Sequence, residues 1–250
     1  DILRFHSVYW PAFLMAAKLP LPLKVYAHGW ILSHEKKMSK SLGNILDPIE
    51  IINNYGVDQL RYYLIKEVSL GNDGNVSMEN LKNCINNDLA NNFGNLCQRV
   101  FSFIEKNCKG KLPRAKELKK EDNILLDNLI NKIPELITDM NNQELNNYIK
   151  KVIDFSFDSN KYFNDLQPWS LKTIDIDRMN TILFTIVSQI KNISILLNPV
   201  IPISSNKILD IMNLKSKERL ISAINKNDIF NHDLEFKKTS ILFKKIEDDN

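Results

Sequence analysis

Leu23-Lys24-Val25-Tyr26-Ala27-His28-Gly29-Trp30-Ile31-Leu32 leads, through Ser33-His34-Glu35-Lys36, into Lys37-Met38-Ser39-Lys40-Ser41-Leu42-Gly43-Asn44. The first half is rich in aliphatic and aromatic residues and follows a proline turn at 20–22, so it reads as one buried strand. The second half sets two ammonium groups three residues apart among small hydroxyl side chains. It reads as a short loop offering positive charge to a polyanion such as a nucleoside triphosphate. It is not a P-loop, because no glycine-rich run ends in Gly-Lys-Ser/Thr, and the lysines must act as side-chain charges beside a cradle built elsewhere. In open α/β sheets ligands gather beyond the carboxyl ends of strands, and that is where this loop falls.

Upstream, apolar residues recur at helical spacing over 2–17 with Pro11 among them, which predicts a kinked helix or two short ones with His6 on the face of Ile2. Downstream, Asp47-Pro48 reads as the cap and first turn of a helix to Tyr55, Gly56 ends it, and a second helix covers 57–68. Residues 71–74 read as a loop, after which Ser77 caps a long helix reaching about Lys109. Leu81, Ile85, Leu89, Phe93, Leu96, Val100, Phe103 and Ile104 share its apolar stripe. Residues 108–120 form a connector. Helical periodicity then returns over 123–140, 143–165, 175–197 and 202–212, which predicts an antiparallel bundle of roughly four or five helices. Phe101, Phe103, Phe155 and Phe157 are assigned to the bundle core, and the stretch from Leu220 onward to a loosely packed tail.

The 250 residues suffice for one large domain or two smaller ones. Lys+Arg 33 against Asp+Glu 30 leaves a net charge of +3, so any contact with nucleic acid must come from a local patch. Cys84, Cys97 and Cys108 form no CxxC pair, which argues against a disulfide framework or a zinc site and for a reducing cytosol. His28, His34 and His232 lack metal-ligand spacing, and no metal is assigned. The most apolar region, 182–203, is interrupted by Gln189, Lys191, Asn192 and two prolines and is not expected to cross a bilayer. The chain opens at Asp1 inside an amphipathic pattern without a signal-peptide layout.

Taken together, five stretches resemble the methionyl-tRNA synthetases, class I aminoacyl-tRNA synthetases of bacterial and organellar type. They are Asp1-Ile2-Leu3-Arg4-Phe5-His6, Val8-Tyr9-Trp10-Pro11-Ala12-Phe13-Leu14-Met15, Ala27-His28-Gly29, the KMSKS letters of 37–41, and Asp58-Gln59-Leu60-Arg61-Tyr62-Tyr63. The match is close to about Arg99 and weaker through the bundle. The resemblance implies an α/β remnant, the second half of a Rossmann-type class I catalytic domain, over 1–36. A KMSKS loop and connecting domain would follow over 37–80, then an all-α anticodon-binding bundle over 81–250, for a mainly α protein.

It implies methionine–tRNA ligase activity using ATP with Mg2+, with no zinc site in this segment, and tRNA(Met) carrying the CAU anticodon as partner. In such a site Asp1 contacts the ATP ribose, His28 and the backbone of Ile31 belong to the ATP site, and Lys37 and above all Lys40 stabilise the phosphates. Ile2, Phe5 and His6 line the methionine pocket, and Asn95, Arg99 and Trp169 read the anticodon. The HIGH histidine motif, the amino-group-binding acid and the knuckle domain would precede Asp1, so this stretch by itself is not expected to form methionyl adenylate. A glycine common just before the loop is replaced here by the neighbourhood Ser33-His34-Glu35-Lys36. With no OB-fold extension in view, a cytoplasmic monomer is expected. Two alternatives stay open: a non-catalytic tRNA-binding module, and a class I synthetase for leucine, valine or cysteine. The intact lysine loop and His6 weigh against the first, and the residues after Asp1 with the Asn95, Arg99 and Trp169 set against the second.

Overall fold

The computed structural model describes residues 1–33, 36–38, 46–224, 235–236 and 242–247. Helix α1, residues 2–16, runs unbroken through Pro11 instead of kinking there. Its π segment Phe5–Tyr9 widens the coil just before the ring, where a proline removes a donor and presses on the preceding turn.

The expected strand over 23–32 shrinks to β1, Ile31–Ser33. Two unforeseen strands join it: β2, Lys36–Lys37, and β3, Gly74–Val76, in the order β2-β1-β3. β1 runs antiparallel to β2 with Leu32 opposite Lys37, and parallel to β3 with Ile31 opposite Gly74. A strand lasts only as long as neighbours take up its N–H and C=O groups, and these neighbours are two and three residues long. Just before β1, Trp30 N–H donates to Asp73 Oδ1 at 2.7 Å, and Gly74 N–H donates to the Trp30 carbonyl at 2.8 Å. This brings the 69–73 loop onto Gly29, where a Cβ would lie 2.2 Å from the Asn72 carbonyl group. Only glycine fits that crossing.

Helix α2, Pro48–Tyr55, starts as expected, with the Asp47 carboxylate accepting from Ile49 N–H at 2.8 Å. Helix α3, Val57–Glu67, follows after Gly56. Ser77 Oγ accepts from Asn80 N–H and opens α4, residues 78–107, whose middle turns Ile85–Gly94 are π-helical. Leu81, Ile85, Leu89, Phe93, Leu96, Val100 and Ile104 are all buried along it, whereas Phe103 is partly exposed.

The bundle is completed by α5, Lys120–Asn141; α6, Leu145–Leu166; α7, Ile176–Leu197; and α8, Pro202–Ile211. Phe101 and Phe155 are buried as expected, but Phe157 is 47% exposed, because two residues along a helix turn a side chain to the opposite side. Helix α7 is long and apolar enough to cross a membrane by length and composition, contrary to the reading of 182–203 as too interrupted. Both prolines fall beyond its last turn, and the fold buries it among α4, α5, α6 and α8. Gln189 on α7 finds an internal partner, its Nε2 donating to the Leu125 carbonyl at 2.8 Å.

A buried ion pair ties three of these helices together. Arg178 at the start of α7 donates to both carboxylate oxygens of Asp122 near the start of α5, at 2.5 and 2.9 Å, and the Tyr162 hydroxyl of α6 donates to the same carboxylate. Burial pushes the Asp122 pKa upward, but the Arg178 and Tyr162 hydrogen bonds outweigh it and hold the carboxyl below its ordinary value.

The expectation of a loose tail fits the exposed Leu220 and Ile221 but fails at 235–236 and 242–246. Phe243 is buried against Gly94, and Asn86 exchanges two hydrogen bonds with the backbone of Ile246, at 2.9 and 2.8 Å. Phe236 donates its N–H to the Gly110 carbonyl and packs on Phe101 with ring centroids 5.2 Å apart. The single apolar residues, which lack any periodicity of their own, find cover by lying across α4.

Two outcomes follow from this packing. Asp122→Asn should cost about 3–5 kcal/mol in urea unfolding at pH 7, the scale for leaving one member of a buried pair alone. Because the folded pKa of Asp122 is depressed, its contribution is present above the unfolded value near 3.9 and lost as pH falls through the folded value. The variant should therefore lose stability less steeply than wild type below about pH 4. Phe243→Ala should cost about 3–5 kcal/mol if the tail is packed as described, and an unchanged unfolding midpoint would show a tail that is not.

Candidate functional site

Two groups of side chains stand out, one around the sheet and one on the bundle. The lysine loop leaves β2 and is anchored at both described feet, because Met38 and Leu46 pack against the hydrophobic core. Lys37 belongs to β2 by its backbone, while Ser39, Lys40, Ser41, Leu42, Gly43 and Asn44 lie outside the described residues, as do His34 and His232. The expected substitute hinge at Ser33-His34-Glu35-Lys36 is described only at its ends, where Ser33 pairs with Lys36.

His28, Gly29 and Ile31 open onto a cavity of ≈ 220 Å³ whose far wall is Leu64 and Ile65 of α3 with Val68 just after it. The His28 ring lies with Nδ1 2.9 Å from the Gly29 carbonyl, fixing the ring against its own backbone. The walls are chiefly apolar, suited to a flat ring edge-on to backbone and unsuited to phosphates. His28 and Ile31 line the same cavity.

Asp1, Ile2, Phe5 and His6 lie along the exposed face of α1. Ile2 is 71% and Phe5 52% exposed, and His6 Nδ1 lies 2.9 Å from the Ile2 carbonyl one turn back. Phe5 and Tyr9 meet edge to face, as do His6 and Trp10, so the aromatic side chains of α1 form one continuous ridge. Asp1 is the residue before the first helical turn, and its side chain makes no capping hydrogen bond there. In this arrangement these residues offer a surface of aromatic and aliphatic contact, not an enclosed pocket.

On the bundle the geometry is tighter. Arg99 stands on α4 four residues after the exposed Asn95, so the two side chains share one face of the helix. Its Nη2 donates to Asn164 Oδ1 of α6 at 2.7 Å, and its guanidinium carbon sits 5.3 Å from the Phe163 ring centre. Gln167 takes a left-handed backbone, φ 42°, that ends α6 and swings the Pro168–Ser170 turn back over it. Trp169 is thereby laid edge to face on the same Phe163 ring, with centroids 5.7 Å apart, while remaining 41% exposed. A guanidinium has five donors in a fixed plane, so the bond to Asn164 leaves others free to meet a base edge. An exposed indole beside it can carry a stacked base.

Phe163 and Asn164 were not singled out from sequence. Phe163 fits the apolar period of α6 and reads as core, which it also is, at 2% exposed. Asn164 is one asparagine among very many, and only its position opposite Arg99 distinguishes it.

Residues 1–101 match the family model described as tRNA synthetases class I (M), and residues 112–250 match that of the anticodon binding domain of methionyl tRNA ligase. Methionine–tRNA ligase of Rickettsia felis is 40% identical over 262 aligned positions, covering all of this chain and 49% of that protein. The enzyme of Rhizobium meliloti is 43% identical, covering 88% of this chain and 42% of that protein. Methionyl-tRNA synthetase of Mycobacterium tuberculosis, solved with methionyl-adenylate, superposes with a TM-score of 0.91 at 36% identity, over 97% of this chain and 48% of that one. The chain spans about half the length of the relatives it matches. Matched from residue 1 through 101 and again from 112 to 250, and sharing its fold with a solved synthetase, the chain belongs to the methionyl-tRNA synthetase family.

Proposed function

We propose that this chain supplies the KMSKS side of the catalytic site and the anticodon-reading bundle of a methionine–tRNA ligase, a cytosolic, monomeric enzyme that activates methionine with ATP and Mg2+ and transfers it to tRNA(Met). The observation that carries the reading is the Arg99, Phe163, Trp169 arrangement in a bundle matched to the anticodon-binding family. A stacking face beside a free guanidinium edge suits unstacked bases in a loop, which is how RNA sequence is read most often. Asn95 adds an amide one turn away, and this set is assigned to the CAU anticodon. The division 1–36, 37–80 and 81–250 is kept as the assignment of the catalytic remnant, the loop with its connecting segment, and the bundle.

In the activation step the methionine carboxylate attacks the α-phosphorus of ATP and pyrophosphate leaves with the bond's electron pair. Negative charge grows on the phosphate oxygens, so fixed positive charge there lowers the barrier more than it favours the ground state. Lys37 and Lys40 are assigned that role. Met38 and Leu46, on either side of the loop, pack against the hydrophobic core. The cavity at His28 and Ile31 is assigned to the adenine, with Asp1 at the ribose. Ile2, Phe5 and His6 are assigned to the methionine side chain, which suits the aromatic ridge of α1 because thioether sulfur contacts ring edges favourably.

In the intact enzyme, Lys40→Ala should raise the activation barrier by roughly 2.7–4 kcal/mol, read as methionine-dependent ATP–pyrophosphate exchange. Unchanged exchange would remove Lys40 from the site. Trp169→Ala should weaken binding of a CAU anticodon stem-loop by about 1–3 kcal/mol, measured by fluorescence titration. Wild-type protein that binds CAU no better than other anticodons would overturn the assignment of Asn95, Arg99 and Trp169 and favour a different amino acid's synthetase.

A further inference from the structure

Two charged side chains of α3 cross from the part of the chain matched to the synthetase family into the part matched to the anticodon-binding family. Arg61 donates from Nε to the Val200 carbonyl at 2.7 Å and from Nη2 to the Pro199 carbonyl at 2.9 Å. Asp58, 2% exposed, accepts from Ser204 N–H at 2.6 Å. The acceptors and the donor belong to one corner, where α7 ends and α8 begins. Ser204 is the third residue of α8, and Ile201 at the cap position has no side-chain oxygen to offer it. Asp58 therefore caps α8 from another helix, while Arg61 takes carbonyls left open after α7. Each charge has the sign that its helix end favours.

Asp58 and Arg61 are three residues apart on α3 and so face the corner together. The rest of α3 is fixed elsewhere. The Tyr62 hydroxyl donates to Asp88 Oδ2 of α4 at 2.8 Å, and Tyr63 accepts from Ser77 N–H at 2.9 Å. Lys66 makes an ion pair with the same Asp88. Helix α3 follows α2 and the lysine loop directly in the chain, and its Leu64 and Ile65, with Val68 just after it, border the cavity under His28. It is thus a strut with the sheet on one flank and the α7–α8 corner on the other.

A cap made for stability alone could be a serine or asparagine at position 201. Here a carboxylate is carried in from α3, with its second oxygen buried and unpartnered among the described residues. That arrangement fixes the angle between two parts of the protein, which a local cap would not do.

We propose that Asp58 and Arg61 are positioning residues that set the orientation of the anticodon-reading bundle relative to the lysine loop. In this way a tRNA gripped at Arg99 and Trp169 delivers its acceptor end to the activated amino acid. This rests on the ligase reading above, and it concerns the transfer step, not activation.

The test uses the intact enzyme with Asp58→Asn, Arg61→Gln and Arg61→Lys, each measured in three assays: methionine-dependent ATP–pyrophosphate exchange without tRNA, binding of a CAU anticodon stem-loop, and aminoacylation of whole tRNA. Exchange and stem-loop affinity should stay within twofold of wild type, while kcat/KM for whole tRNA falls tenfold or more in Asp58→Asn and Arg61→Gln. Arg61→Lys, which keeps the charge but lacks the planar fork that serves both carbonyls, should fall between. Aminoacylation within twofold of wild type in both Asp58→Asn and Arg61→Gln would overturn the proposal, and so would a parallel fall in exchange, which marks general damage to the fold. A wild-type enzyme without exchange activity would overturn the ligase reading itself, and this proposal with it.

Discussion

The fold depends on the burial of α7. Eighteen of its 22 residues are buried, and a helix apolar on most of its faces must be covered nearly all round. Four helices supply that cover: α5 and α6 before it in the chain, α8 after it, and α4 from the far side. Helix α4 also carries Tyr62's partner Asp88 and Tyr63's partner region at Ser77, so covering α7 draws the sheet-bearing part of the chain against the bundle. The sheet-bearing part of the chain and the Arg99–Trp169 cluster are joined through α4, which packs against both α3 and α7.

Covering a helix so completely leaves its polar ends in need of partners, and the chain places charges there. Arg178 at the first turn of α7 is met by Asp122 and Glu121 of α5, and the open carbonyls beyond its last turn are met by Arg61 of α3. Asp122 in turn collects Tyr162, the residue beside Phe163. The buried pair therefore also steadies the α6–α7 turn on which Trp169 rides. Buried ion pairs seldom add net stability, since desolvation offsets the attraction. Their effect here is geometric: each joins helices that are far apart in sequence and leaves few other ways for them to meet.

The bundle was legible because its signals are local. Caps at Asp47 and Ser77, the apolar stripe from Leu81 to Ile104 and the helical periods from 123 to 212 all follow from residues a turn or so apart. The sheet was not, because β1 and β3 are separated by some forty residues and each is only three residues long. Nothing in Gly74-Asn75-Val76 announces a strand until Trp30 is placed beside it. The tail was misread for the same reason: Phe243 and Ile246 have no period of their own, and their partners Gly94 and Asn86 lie some 150 residues away. Among the site residues, Arg99 and Trp169 were recognised through family resemblance. The ring that joins them and the amide that orients Arg99 depend on the packing of α4 against α6.

On the function proposed above, that packing reconciles an ordinary overall charge with RNA recognition. With a net charge of only +3 the chain has little long-range pull on a polyanion, so discrimination must come from a few groups held in place beforehand. Arg99 is held in two ways at once, by its guanidinium beside the Phe163 ring and by a bond to Asn164, which spares much of the side-chain entropy that a free arginine would lose on binding. A lysine could not reproduce this, since its ammonium has neither the plane to lie on the ring nor the fork to serve Asn164 and a base together. Trp169 shares the same ring as support, so Arg99 and Trp169 are fixed relative to each other by one buried phenylalanine. On the proposed anticodon reading, the site's specificity is set largely by a residue that need never touch the RNA.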